Sequence, residues 1–261
     1  MSPTALNTYR NCAYRVRLAH IDRVPEPPGY HLFLRKGRIA HNLLRDIAHL
    51  LKRRYPMIDE DEILKRARLR LPPQVFPSEA ERELHAKEIV RWVLYGSRYL
   101  ARVPDPTWLP IENNQTRRWS VYPGRAPYTI MARPDVVLQH IDEEDQPLIE
   151  IIDYKTGKIR LEDDPPVLMR FVIRDLLARA VGNASSAQVR FTWLWLDSAR
   201  TTQIDLSVKH CNEHWSRITQ HLQDLASETA WKATPSFLCR YCPYHRNAGT
   251  TEIPLEDPGY S

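Results

Sequence analysis

The spacing of apolar residues changes once along this chain, near residue 117, and that change sets the class of fold. Before it the repeat is helical. From Gly37 to Arg54, residues Ile39, Leu43, Ile47, Leu50 and Leu51 fall on one stripe, as in a helix with one buried face. Ser2-Pro3 reads as a helix start, with serine at the N-cap and proline at the first helical position; Leu6, Tyr9 and Cys12 follow at helical spacing. Ser78-Glu79-Ala80-Glu81 is a capping box for a third helix running to about Leu100. After residue 117 the repeat is two, and 117–122, 128–132, 135–141, 148–154 and 189–196 read as strands. The acidic run 142–146 reads as a solvated hairpin tip. One amphipathic helix over 166–181 links the fourth strand to the fifth, the connection a parallel pair requires. Another helix covers 208–226. The expectation is a single α/β domain over 1–261, with a mainly helical part (1–116), a sheet core (117–207) and a closing helix with a cysteine tail (208–261).

Composition excludes some classes. With 43% hydrophobic and 26% charged residues the chain has the make-up of an ordinary globular protein with ample length for a core. No secretory signal is evident at Met1-Ser2-Pro3, and no apolar run approaches the ~18 residues a membrane span needs, so the expected location is cytoplasmic. In that setting four cysteines point to free thiols or a metal site rather than disulfides. A net charge of +5 and basic groups at 52–54, 65–70 and Arg117-Arg118 read either as solvated helix faces or together as a phosphate-tracking surface.

The chemistry concentrates at Pro134-Asp135 and, eighteen positions after Asp135, Asp153-Tyr154-Lys155. The run 147–155 is a strand, so Asp153 and Lys155 share a face, and Glu150 points the other way as a structural or nucleic-acid-facing group. Charged groups at the end of a mostly buried strand are costly unless paired or bound to metal. Two carboxylates can bracket a hard cation such as Mg²⁺ or Mn²⁺, and a lysine beside them can orient water and offset developing negative charge, as phosphodiester hydrolysis requires. The Tyr154 carbonyl lies between them. His41 shares a helix face with Leu44 and Ala48; it reads as a core histidine or as a ligand that tilts the site toward Mn²⁺.

Pro134-Asp135 with Asp153-Tyr154-Lys155-Thr156-Gly157-Lys158 resembles the PD-(D/E)xK nuclease superfamily, in particular its RecB-type branch, which includes the nuclease domains of recombination helicase-nucleases and CRISPR spacer-acquisition exonucleases. Three further segments, in family order, carry the resemblance: the opening helix 2–12, Gly37-Arg38-Ile39-Ala40-His41, and 237–244 with Cys239 and Cys242. The resemblance implies a restriction-endonuclease-like core, a central mixed sheet flanked by helices. It implies metal ligation by His41, Asp135, Asp153 and the Tyr154 carbonyl, with Lys155 catalytic. It also implies action on DNA, at ends or on single strands, in recombination, repair or CRISPR-related processing. No GxxxxGK[ST] phosphate loop is present, so a helicase or another CRISPR or repair chain is the expected partner for unwinding.

The chain departs from the family in two places. Iron–sulfur members carry four cysteines; Cys12, Cys239 and Cys242 match, but the fourth position is Ala248, leaving His245 as the alternative fourth ligand for a [4Fe–4S] cluster or Zn²⁺, or three cysteines packed as small apolar groups. Cys211, between His210 and His214, occupies no family position. In the helix after Lys155, Leu168 and Val172 stand where a Gln and a Tyr are common; Arg170 and Arg174 flank them and are candidates, with Arg117 and Arg118, for phosphate contact. Trp193 and Trp195 alternate on one strand as core residues or as a stacking surface. The departures leave a non-catalytic nucleic-acid-binding subunit as the alternative function.

Overall fold

The computed structural model describes residues 2–25, 32–56, 58–110, 115–119, 128–159, 164–182, 188–236, 239 and 242–244. Contacts group the chain into two compact units: Met1–Tyr30 with Arg117–Met131 and Trp215–Ser261, and His31–Thr116 with Ala132–His214. This grouping runs across the subdivision read from the sequence.

The second unit holds the sheet. Its strands are β1 (Thr107–Trp108), β4 (Val136–Ile141), β5 (Pro147–Lys155), β6 (Gln188–Trp195) and β7 (Arg200–Asp205), ordered β1-β4-β5-β6-β7. The pair β5–β6 is parallel and the other pairs are antiparallel, giving a mixed sheet. A short pair, β2 (Gln115–Trp119) with β3 (Tyr128–Ala132), forms a separate sheet. β5 is central because it is buried on both faces: Leu148 to Ile152, Glu150 among them, are all buried.

Among the helices of this unit, α3 (Leu32–Lys52), α4 (Glu60–Arg70) and α5 (Glu79–Arg102) pack on one another. Ile39, Leu43, Leu44 and Ile47 of α3 bury fully or nearly so with Ile89, Trp92 and Val93 of α5 and with Ile152, Tyr154 and Leu194 of the sheet. Gly96 permits this approach, since a Cβ there would stand 2.7 Å from Leu44 Cδ2. The expected α3 starts five residues earlier than the stripe alone marks. The sequence reading gives α4 no bounds, only 65–70 as a solvated helix face, although its start signal is present: the Asp59 side chain accepts from the Glu62 amide at 2.8 Å, as Ser78 accepts from Glu81 at 3.2 Å to open α5.

The crossover from β5 to β6 is two helices, α6 (Asp164–Val172) and α7 (Arg174–Val181), not the single helix expected. Ile173, at ψ 9°, turns the chain while its amide still donates to Met169 and its carbonyl accepts from Leu177, and the bend buries Val172, Ile173, Leu176 and Leu177. Apolar spacing marks neither β1 nor β7; β7 is exposed or half-buried throughout, with Ile204 its one apolar residue, and so carries little apolar signal.

The first unit holds α1 (Pro3–Asn11), α2 (Ala13–Val16) and a π-helical turn Arg17–Ile21, with the later part of α8 (Val208–Ser227) and the tail. Ser2 caps α1 through the Ala5 amide at 3.1 Å. The Tyr9 hydroxyl donates to Glu228 at 3.0 Å, its ring meets Trp231 edge-on, and the Tyr14 amide donates to Lys232 at 3.2 Å, tying the start of the chain to its tail. Among the described residues no helix is long and apolar enough to cross a membrane.

Candidate active site

The site begins where β4 ends its pairing with β5. Val136 stands opposite Ile152, and the Asp135 amide donates to the Ile152 carbonyl at 3.2 Å. The preceding residue, Pro134, has no amide to continue the ladder. The Tyr154 amide therefore meets a side chain instead of a strand: it donates to Asp135 Oδ2 at 2.8 Å. Amide and carbonyl of one strand residue face the same neighbour, so the Tyr154 carbonyl lies on this side too. The Asp153 and Lys155 side chains share one face of β5, where Lys155 Nζ pairs with Asp153 Oδ2 at 2.6 Å; Asp153 is largely buried and Lys155 is half exposed.

His41 is delivered by α3. One turn before it, Gly37 lies against the segment that follows β5, where a Cβ would stand 3.1 Å from Thr156 Oγ1. Leu44 and Ala48, below His41 on the same helix face, are buried. The imidazole itself is half-buried, with Nδ1 3.0 Å from Asp135 Oδ1 and its ring edge-on to Tyr154 at 5.5 Å. The sequence reading named His41, Asp135, Asp153, Tyr154 and Lys155; the structure brings them to one end of β5. It quoted Gly37 without giving it a role and did not place the Tyr154 amide; their signals are the glycine one helical turn before His41 and the proline just before β4.

The charges are coupled. Burial pushes the Asp153 carboxyl up from the ordinary range, Lys155 pulls it back, and the charge of Asp135 adds to the rise; the net direction is upward. Burial lowers the His41 imidazole, but Asp135, through charge and hydrogen bond, and then Asp153 outweigh it, so His41 is raised. Burial and the same two aspartates push the Tyr154 phenol well up. Its hydroxyl is buried with no hydrogen-bond partner among the described residues.

The donor chemistry fits a hard or borderline divalent cation: two carboxylates, one with its ionised form disfavoured for want of positive charge, a backbone carbonyl and an imidazole. As they stand these groups satisfy one another, and no three His, Cys, Asp or Glu of the described residues converge on one ion position.

The remaining candidates lie elsewhere. Cys12, Cys239 and Cys242 line one small cavity of about 40 Å³ in the first unit, with Tyr14, Arg15 and Tyr244. Burial raises the Cys242 thiol. His245 and Ala248 lie outside the described residues. Arg170 is buried, at 8% exposure, and its guanidinium is lowered by burial against a partial offset from Cys211; that burial argues against its expected phosphate contact. Arg174 and Arg118 are exposed and Arg117 is half-buried. Leu168 and Val172 are buried, as are Trp193 and Trp195, whose rings stack 6.4 Å apart inside the fold. Glu150 is buried in a hydrogen-bonded network, which is a structural placement.

Comparison with known proteins adds the family. No curated protein matches. Of solved structures, the crystal structure of SSO0001 matches at 13% identity over 82% of this chain and 84% of that one, with a TM-score of 0.33, which carries no argument. The model of the PD-(D/E)XK nuclease superfamily matches residues 1–247. That match covers nearly the whole chain, including α3, β4 and β5 with every residue gathered at the strand end, and so the chain belongs to the PD-(D/E)XK nuclease superfamily.

Proposed function

We propose that this chain is a divalent-metal-dependent nuclease of the RecB-type branch, hydrolysing DNA phosphodiester bonds at ends or on single strands. The observation that carries the reading is the meeting of His41, Asp135, the Tyr154 backbone, Asp153 and Lys155 at the end of β5. His41, Asp135, Asp153 and the Tyr154 carbonyl would hold Mg²⁺ or Mn²⁺, the imidazole favouring Mn²⁺ relative to an all-oxygen set. What such an ion supplies when bound is charge neutralisation at the phosphoryl oxygens and a more acidic water. The Tyr154 amide fixes the Asp135 carboxylate, and Asp153 holds the Lys155 ammonium at the strand end, where it orients the attacking water and offsets charge building on the phosphate.

The cysteine cavity is the place where a [4Fe–4S] cluster or Zn²⁺ would be held, by Cys12, Cys239 and Cys242 with His245 as the fourth donor. Its role is to clasp the tail to the start of the chain. A helicase or a CRISPR or repair chain would supply unwinding.

Labelled single- and double-stranded DNA incubated with Mn²⁺ or Mg²⁺ tests the reading. Wild type yields products and Asp153→Ala and Lys155→Ala do not; equal products from all three overturn it. A second reading, a non-catalytic nucleic-acid-binding subunit, is favoured by buried Leu168 and Val172 at positions that are often polar in the family. Salt-dependent DNA retention without cleavage by wild type would select it.

A further inference from the structure

An opening of about 410 Å³ lies in the second unit, away from the residues assigned above. Leu64 of α4 and Val90 and Leu94 of α5 contribute its apolar lining, and Lys87, Arg91 and Arg98 its charge. The three cations fall on one helical stripe, at i, i+4 and i+11, and all are exposed. The exposed Arg102 extends the stripe, and C-terminal to Glu88 α5 carries no acid. Glu60 is the acid among the lining residues.

Pairing separates this stripe from the basic run on α4. There Arg66, Arg68 and Arg70 are each held by a carboxylate, from Glu62, Glu83 and Asp46, at 2.7, 2.6 and 3.1 Å. On α5, Arg91 reaches Asp197 only at 3.4 Å and Lys87 reaches Glu83 at 3.9 Å, with both cations mostly in solvent; Arg98 has no ion pair among the described residues. At a rise of about 1.5 Å per residue the stripe from Lys87 to Arg98 runs about 16 Å, enough for several successive phosphates. Tyr95 lines the opening beside it, with its hydroxyl bonded to Thr201 at 2.7 Å. An aromatic ring next to spaced cations is the combination that takes single-stranded nucleic acid.

The position agrees. Ala199 of the β6–β7 turn also lines the opening. That turn follows Trp195, the register partner of Lys155, and the Leu196 amide donates to the Lys155 carbonyl at 2.7 Å. The groove and Lys155 thus lie at the same end of the sheet. We infer that this α5 groove seats the phosphate backbone of a single-stranded polynucleotide and leads it toward the strand end that carries Asp153 and Lys155. The choice of a polynucleotide over another polyanion rests on the function proposed above.

Fluorescence anisotropy of labelled oligothymidylate, titrated in EDTA over a salt series, tests it without cleavage. Lys87→Gln/Arg91→Gln/Arg98→Gln weakens binding about tenfold or more at low salt, and the slope of log affinity against log salt falls by about 2, since each phosphate contact on a single strand contributes about 0.7. Arg179→Gln/Lys209→Gln/Lys232→Gln, exposed cations outside every basic group named above and equal in charge removed, keeps the wild-type slope. Arg91→Lys/Arg98→Lys keeps binding, because a point charge still meets phosphate. The single variant Arg98→Gln, the mildest for folding, lowers the slope by about 0.7. A triple variant that binds as wild type, or a control that loses as much, overturns the groove. Cleavage is scored separately. Binding that depends on the stripe, without cleavage by any divalent cation, leaves the groove standing and removes the nuclease; cleavage with binding indifferent to the stripe does the reverse.

Discussion

Glu150 and Asp153 are buried carboxylates three residues apart on β5, facing opposite sides of the sheet, and their surroundings treat them in opposite ways. Glu150 is surrounded by donors. The Tyr99 hydroxyl donates to it at 2.6 Å, the Thr192 hydroxyl donates to the same oxygen, and His140 Nε2 lies 3.3 Å from the other. Burial alone pushes Glu150 up, but His140, Thr192 and Tyr99 together win and hold it below the usual carboxylate range. Asp153 has Lys155 for company, and burial with the neighbouring Asp135 leaves it raised. One strand therefore carries a carboxylate that is complete and one that is short of positive charge. The first stabilises the sheet. The second is the condition in which an added cation gains most.

The comparison breaks first at its functional end. Asp153→Ala and Lys155→Ala are expected to reduce cleavage on the order of 10³-fold, the scale of losing a charge-stabilising group, with melting temperatures near wild type. Glu150→Ala is expected to do the opposite: about 3–5 kcal/mol of stability is lost, because Tyr99, Thr192 and His140 are left buried without their acceptor, while turnover per folded molecule is kept. Urea unfolding alongside active-fraction-corrected rates checks both. If Asp153→Ala unfolds the chain as readily as Glu150→Ala, the two carboxylates are equivalent and the contrast is wrong. Tyr99→Phe sharpens the same side with a smaller effect: about 1.5–3 kcal/mol lost in urea unfolding, one hydrogen bond to a carboxylate, and no change in rate.

These two carboxylates also mark how far the sequence could be read. The strand alternation that puts Asp153 beside Lys155 is local, and so are the caps at Ser2 and Ser78 and the helical stripe through Leu43 and Ile47; all are legible from spacing. Glu150 could be placed opposite Asp153 but not given partners, because Tyr99, His140, Thr192 and Gln203 come from four other elements brought together only by packing. Arg170 fails for the same reason: the reading carries one helix through Arg170 and Arg174, but the bend at Ile173 divides them between α6 and α7 and packing puts Arg170 inside. The α5 stripe was readable at i, i+4 and i+11, yet only ion pairing distinguishes it from the denser run on α4, and pairing is not local.

A pH series separates the two sides of β5 further. His140 is raised, first by the Glu150 carboxylate 3.3 Å from its Nε2, against burial and the charge of Arg190. A raised histidine stabilises the fold fully below its ordinary value of about 6.5 and loses that contribution as pH rises through the folded value. Glu150 is lowered, so its contribution is present above its ordinary value of about 4.3 and is lost as pH falls through the lowered one. The pair is therefore strongest between about pH 4.3 and 6.5. The stability difference between wild type and His140→Gln is expected to be greatest in that window and to shrink as pH rises through the raised folded value of His140. A difference that stays constant across the series means that His140 serves by packing alone.

The smallest expected effect isolates the functional side. Gly37→Ala adds a methyl 3.1 Å from Thr156 Oγ1, so one of the two must give by a few tenths of an ångström. In the helix interior alanine gains about 1 kcal/mol over glycine, which offsets the crowding, and stability is expected to stay near wild type. The rate is not protected in this way. Gly37 is one turn from His41, whose contact with Asp135 depends on how closely α3 approaches the end of β5, and a shift of that size is expected to cost turnover several-fold. Thr156→Ala removes the opposing atoms, so Gly37→Ala/Thr156→Ala should recover most of the rate, a coupling visible in a double-mutant cycle. The pH profile of the His140–Glu150 pair should not move in either variant. If Gly37→Ala lowers stability and leaves the rate alone, α3 contributes packing at this point and does not set the position of His41.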